Sequence, residues 1–219
     1  MPERKTILEG VVGSQAYGLA TESSDVDLRG VFVYPLKDIL SIRNLEETID
    51  SHEPDVTLHE LVKFCRLAAQ GNPNILELLW LNNYTTLTDE GMMLIGIRHA
   101  FFSQRVRERY IGYALSQARR LVSRGNFDSD LKKRRAKHAR HCFRLMIQGK
   151  EILSTGTLTV DCSEYRDMLF SVGDLSDEEI LDLFNRYHQE LESLESFLPL
   201  EPDYQIINDA LYSIRMMNK

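Results

Sequence analysis

In this 219-residue chain strand-like sequence ends near residue 60, and from about Arg98 onward the apolar spacing is helical. Any sheet is therefore small, is built early in the chain, and has to find its cover on helices that come later. Ile7 to Val12 form a short apolar run ended by Gly13-Ser14; a short helix and the polar turn Thr21 to Ser24 follow. Asp25 to Val33 read as a second strand, closed by Pro35, with an irregular stretch to about Ser51. Asp55 to Leu58 supply a third, running into a helix that starts at His59. Asn72 caps a further helix, with Pro73 at its first position, where the missing N–H costs nothing.

The later helices run from His99 to about Arg124, broken by Gly125-Asn126, and from about Ser129 to Leu153. Ser176 and Glu179 form a capping box for the next, which Pro199 and Pro202 close off, and a terminal helix follows. The expected fold class is α+β, with a small mixed-sheet part over residues 1–97 and a helical domain over 98–219. With 43% hydrophobic residues there is enough apolar material for a core without staples. Cys65, Cys142 and Cys162 lie far apart with no CxxC pair, so neither a disulfide framework nor structural zinc is expected, and a reducing, cytoplasmic setting fits. No apolar run approaches the ~20 residues of a bilayer span and no signal core opens the chain, so no membrane partner is expected.

The formal charge of -7 conceals three opposed blocks. Residues 1–97 hold 7 basic and 15 acidic side chains, residues 98–150 hold 15 and 3, and residues 151–219 hold 4 and 15. The middle block sets up a positive field able to attract a polyphosphate or a nucleic acid backbone, so the acidic total does not exclude such partners.

The chemistry-bearing stretch is Gly13-Ser14 followed by Asp25-Val26-Asp27. Carboxylates at i and i+2 of a strand share one face about 7 Å apart, a spacing at which they can grip one or two divalent cations. A glycine between strand and helix lets a ligand approach the backbone, and the N–H groups beyond it are donors for phosphate oxygens. A nucleoside triphosphate needs both: divalent cations for its oxygens and fixed donors for its leaving pyrophosphate.

On these residues, with Gly71-Asn72-Pro73-Asn74 downstream and the helix carrying Lys137, His138 and Arg144, the chain resembles the DNA polymerase β-like nucleotidyltransferase superfamily. Within it, the likeness is to the RNA-repair-associated predicted nucleotidyltransferases of bacteria and phages, from about Ile7 to about Asp203. The resemblance implies a mixed sheet carrying three carboxylates, two Mg2+ or Mn2+ ions, and a nucleotide held between sheet and helical domain. Asp25 and Asp27 match the first two carboxylates; Asp55 fits the third, in the role of general base, with Asp50, Glu53 and Glu60 as alternatives. Gly13, Ser14, Lys137, His138 and Arg144 are the implied nucleotide-binding residues, and an RNA end, such as that of tRNA, is the implied acceptor. A protein or small-molecule acceptor, or a catalytically silent binding module, are the competing expectations.

Other residues carry weaker signals. Arg119, Arg120, Arg124 and Lys132 to Arg135 are placed to follow an acceptor backbone. Arg29 faces either the nucleotide or a structural carboxylate. Asn72 and Glu77 read as structural, as do Trp80, Phe64, Phe101 and Phe143, whose helical spacing among aliphatic residues marks core. His138 and His141 lack the further ligands that zinc requires.

Overall fold

The computed structural model describes residues 3–22, 24–122 and 129–219, the side chains of 122 and 129–132 excepted. The strands β1 (Lys5–Val12), β2 (Asp27–Val33), β3 (Thr48–His52), β4 (Asp55–Glu60) and β5 (Thr86–Leu87) form one mixed sheet in the order β3-β4-β2-β1-β5. β1 and β2 are antiparallel, whereas β2 and β4 run parallel. Three short helices interrupt the sheet region: α1 (Gly13–Ala16), α2 (Leu36–Ile39) and α4 (Pro73–Leu76). The longer α3 (Leu61–Ala69) leaves β4 directly, its first turn capped by Glu60, which accepts from the Val62 N–H. Asn72 caps α4 by accepting from the Asn74 N–H, with Pro73 at the first position.

After α5 (Asp89–Gly96) come α6 (Arg105–Val122), α7 (Ser129–Thr155), α8 (Arg166–Ser171), α9 (Asp177–Ser193) and α10 (Tyr204–Met217). α6 and α7 pack antiparallel: His138 Nδ1 lies 2.8 Å from Gln117 Oε1, and a Cβ on Gly149 would sit 3.0 Å from Tyr110. α10 returns to the sheet side, where Arg215 pairs with Glu60 and the Asn218 carbonyl accepts from the Leu36 N–H at 2.7 Å. One cluster of buried side chains runs from Ile7 and Val31 through Phe64 and Leu79 to Phe143, Leu191 and Ile214, so sheet and helices share a core. The three cysteines are buried free thiols. Among the described residues no helix is long and apolar enough to cross a membrane.

Three local expectations change. The irregular stretch before Ser51 contains β3, an edge strand whose polar sequence, Thr-Ile-Asp-Ser-His, hides its period because its last three residues are exposed. The strand expected from Asp25 begins at Asp27. The helix expected from His99 begins at Arg105, because Phe101, Phe102 and Ser103 are all buried. Three consecutive residues on a helix fan over about 200°, so the chain has to bend to bury all three. The expected break at Gly125-Asn126 lies outside the described residues.

Candidate active site

The sheet topology collects the chemistry at one edge. Val12, the last residue of β1, pairs with Asp27, the first of β2, and Asp27 pairs with Asp55, the first of β4. Since β1 runs against β2 while β4 runs with it, one strand's end and two strands' beginnings meet there. Gly13, Asp27 and Asp55 are thus neighbours across three strands, each step being about 4.8 Å. Gly13 has φ +68, and a Cβ on it would lie 2.2 Å from Asp27 Oδ2. The Asp27 carboxylate therefore rests over the glycine α-carbon, in space that any side chain at 13 would occupy. α1 begins at Gly13 and no side chain caps it, which leaves the first-turn N–H groups pointing to this edge for an outside acceptor.

Asp25 stands exposed two residues before Asp27. None of the Asp25, Asp27 and Asp55 carboxylates forms a hydrogen bond or ion pair with the described residues. Partial burial and then the neighbouring Asp55 charge raise the Asp27 carboxyl above its ordinary range; Lys137 and Arg29 oppose this, and Asp25 adds to it. The fold therefore gathers carboxylate oxygens at this edge, with Lys137 and Arg29 as the cations that act on Asp27. Among the described residues no three His, Cys, Asp or Glu side chains close into a ligand cage. Facing carboxylates without a cation repel one another, and as a donor set of hard oxygens open to solvent they suit Mg2+ or Mn2+.

Because the raised pKa belongs to an acid, the folded state favours the neutral form. The ionised form costs stability above the folded pKa, and that cost fades as pH falls through it toward the unfolded value. Asp27→Asn is accordingly expected to raise the melting temperature of the metal-free protein at pH 7 by about 2 °C, a sub-kilocalorie effect after solvent screening. Thermal denaturation in EDTA measures it, and a lower melting temperature would contradict the repulsion.

Across from this edge, α7 presents Lys137, which is exposed and forms no hydrogen bond or ion pair with the described residues, within electrostatic reach of Asp27. His138, one residue on, is held by Gln117 of α6. Ser14 is half-buried on α1. Of the alternatives to Asp55, Glu60 is committed to the α3 cap and to Arg215, and Asp50 lies on the outer strand β3, opposite Thr57.

Arg144, expected among the nucleotide-binding residues, has its side chain 1% exposed and turned inward onto a buried network. The guanidinium lies 3.6 Å from the Tyr17 ring centre, donates to Gln148 Oε1 at 2.6 Å, and stands 3.6 Å from Glu77 Oε2. Glu77, equally buried, accepts from the Tyr17 hydroxyl at 2.7 Å and from Arg29 Nη1 at 3.1 Å. Arg29 also donates to the Asn74 carbonyl at 3.0 Å, so its partner is the structural carboxylate. His141 Nδ1 lies 3.1 Å from Arg144 Nη2, and burial followed by the Arg144 charge pushes this imidazole down to about 3, so it is a neutral acceptor. The network joins the residue that ends α1, the aspartate strand, the turn after α4 and α7.

Arg135 differs from expectation in the same way. It donates to Asp177 Oδ1 at 2.6 Å and to the Gly173 and Leu175 carbonyls, tying α7 to the start of α9 instead of presenting itself to a backbone. Lys133 and Arg134 are exposed, as are Arg119 and Arg120. Arg124 and the Lys132 side chain lie outside the described residues. Tyr17 and Gln148 escape sequence reasoning because single polar residues on apolar faces carry no motif.

The family model for the RNA repair pathway DNA polymerase beta family matches residues 2–200. The uncharacterized 38.9 kDa protein in the nrdC-mobD intergenic region of Enterobacteria phage T4 is 31% identical over 136 residues, 56% of this chain. The match spans 40% of that relative's own length.

Proposed function

The chain belongs to the RNA repair pathway DNA polymerase beta family, and from that premise we propose that it is a metal-dependent nucleotidyltransferase moving a nucleoside monophosphate from a triphosphate onto a hydroxyl of RNA. The observation that carries this reading is the meeting of Gly13, Asp27 and Asp55 at one sheet edge opposite Lys137. Asp25, Asp27 and Asp55 would hold Mg2+ or Mn2+, two ions in the family pattern. Bound there, divalent cations neutralise the phosphate oxygens and the charge that develops on the attacking and leaving oxygens.

The chain's own residues do the rest. The Gly13 and Ser14 N–H groups and the Ser14 hydroxyl receive the terminal phosphates, with the Lys137 ammonium as a point charge against them. Asp55, the exposed carboxylate beside Asp27, accepts the proton of the acceptor hydroxyl. Arg29 and Glu77 keep strand β2 in position against α7 and touch no substrate.

The test incubates the protein and Mg2+ with each of the four α-labelled ribonucleoside triphosphates and, in separate reactions, an RNA pool, the protein alone and a cell extract. The expected result is label on RNA from a preferred triphosphate, abolished by EDTA. Label that goes only to protein or small molecules would replace the RNA acceptor, and no transfer to any acceptor would overturn the reading.

A further inference from the structure

Two guanidinium groups outside the catalytic edge meet on one aromatic ring. Arg140, three residues beyond Lys137 on α7, has its Cζ 4.5 Å from the centre of the Phe170 ring. Arg166, the first residue of α8, has its Cζ 4.7 Å from the same point. The two carbons are therefore at most about 9 Å apart, the sum of those distances. Arg166 is anchored, donating to the Gly18 carbonyl and, at 2.9 Å, to the Ala20 carbonyl in the segment that leaves α1. Arg140 forms no hydrogen bond or ion pair with the described residues. Its nitrogens are not among the buried atoms left without partners, so its N–H groups open to solvent.

Among the described residues no carboxylate is ion-paired with either arginine. Burial and then the Arg166 charge push Arg140 below its ordinary value, and no acidic group acts on it. Two like charges at this separation repel. The ring face offsets only part of that repulsion. An anion is the missing partner, and the open Arg140 fork beside the anchored Arg166 charge matches phosphate oxygens in particular. Lys133, Arg134 and Lys137 stand exposed along α7 before Arg140. At 1.5 Å per residue these cations extend over about 10 Å of helix, which suits a chain of phosphates better than a single small anion.

We propose that Arg140 and Arg166, seated on Phe170, hold a backbone phosphate of the RNA strand. The choice of RNA rests on the acceptor reading above; the anion site itself does not. Fluorescence anisotropy with 5′-labelled single-stranded RNA, in EDTA and without nucleotide, tests it across a KCl series. Arg140→Gln is expected to weaken binding about three- to tenfold and to reduce the slope of log K against log [KCl] by about 0.7, one phosphate contact. Phe170→Leu is expected to weaken binding in the same direction, and Arg43→Gln, far along the chain, to leave it unchanged. Arg166→Gln adds a second reading if thermal denaturation shows it folded.

Unchanged affinity and slope in Arg140→Gln would overturn the site. A parallel titration with ATP and Mg2+ separates the sources of phosphate: loss there with RNA binding intact would overturn the RNA assignment. The anisotropy is read in EDTA and without nucleotide, where no transfer takes place, so failure of the transfer chemistry and failure of this site are separately visible.

Discussion

Glu77→Gln is expected to destabilise the fold by about 3–5 kcal/mol, lowering the melting temperature by about 6–20 °C, because it removes the one anion between two arginines. Glu77 is 1% exposed, and Arg144, equally buried, and Arg29 both turn toward it. The amide keeps the volume and one acceptor but not the charge, so the buried Arg144 guanidinium is left with the Tyr17 face and neutral oxygens. Arg144→Met is expected to cost less, since Arg29 still balances Glu77 and partial exposure lets water help it. Placing Arg144→Met in the Glu77→Gln background is expected to recover part of the loss, a coupling of about 1–3 kcal/mol that shows the two residues act as a pair. Thermal denaturation of the four proteins, followed by circular dichroism, measures all of these. A Glu77→Gln loss under about 1 kcal/mol would mean that the ion pair is not a structural joint between sheet and helices.

Arg144 also marks where sequence reasoning stops. On an amphipathic helix rich in Lys and Arg, a guanidinium reads as one more surface cation. What turns it inward is a carboxylate on a turn 67 positions earlier, together with a tyrosine near the chain's start. Neither partner shares a motif with it. Arg135 fails the same way, its acceptors being the carbonyls and aspartate at the start of a later helix. Arg166 is hidden by charge arithmetic, since it is one of four basic residues in an acidic block. The aspartate strand, by contrast, is legible because its constraint is local. Period-2 alternation sets where Asp27 points, and Gly13 lies at the only kind of residue that tolerates φ +68 with a carboxylate oxygen 2.2 Å from its Cβ position. Asp55 falls between these cases. Its strand is readable, but its place beside Asp27 depends on the parallel register of β2 and β4. That register in turn follows from β3 forming the hairpin that carries the chain past β4 and back, and β3 is the strand whose polar sequence concealed it.

Asp25→Asn and Asp27→Asn are each expected to reduce nucleotide transfer at least about a thousandfold, and the double variant to be no worse than the poorer single one. The magnitude follows from the charge stabilisation of several kilocalories that a carboxylate-held cation supplies, at 1.36 kcal/mol per factor of ten. Non-additivity follows because one missing ligand already removes what the second would contribute. The fold is expected to survive both substitutions. Asp25 is exposed, and Asp27 is relieved by neutralisation of the charge that Asp55 opposes. A catalytic residue under electrostatic strain trades stability for function, so Asp27→Asn should lose activity while gaining a small amount of melting temperature. A structural aspartate would do the reverse, losing stability and activity together. Single-turnover transfer of labelled nucleotide at saturating Mg2+ and triphosphate, set beside the melting curve of the metal-free protein in EDTA, distinguishes the two. A variant that transfers at the native rate would remove these carboxylates from the chemistry, and one that loses both activity and melting temperature would make Asp27 part of the scaffold.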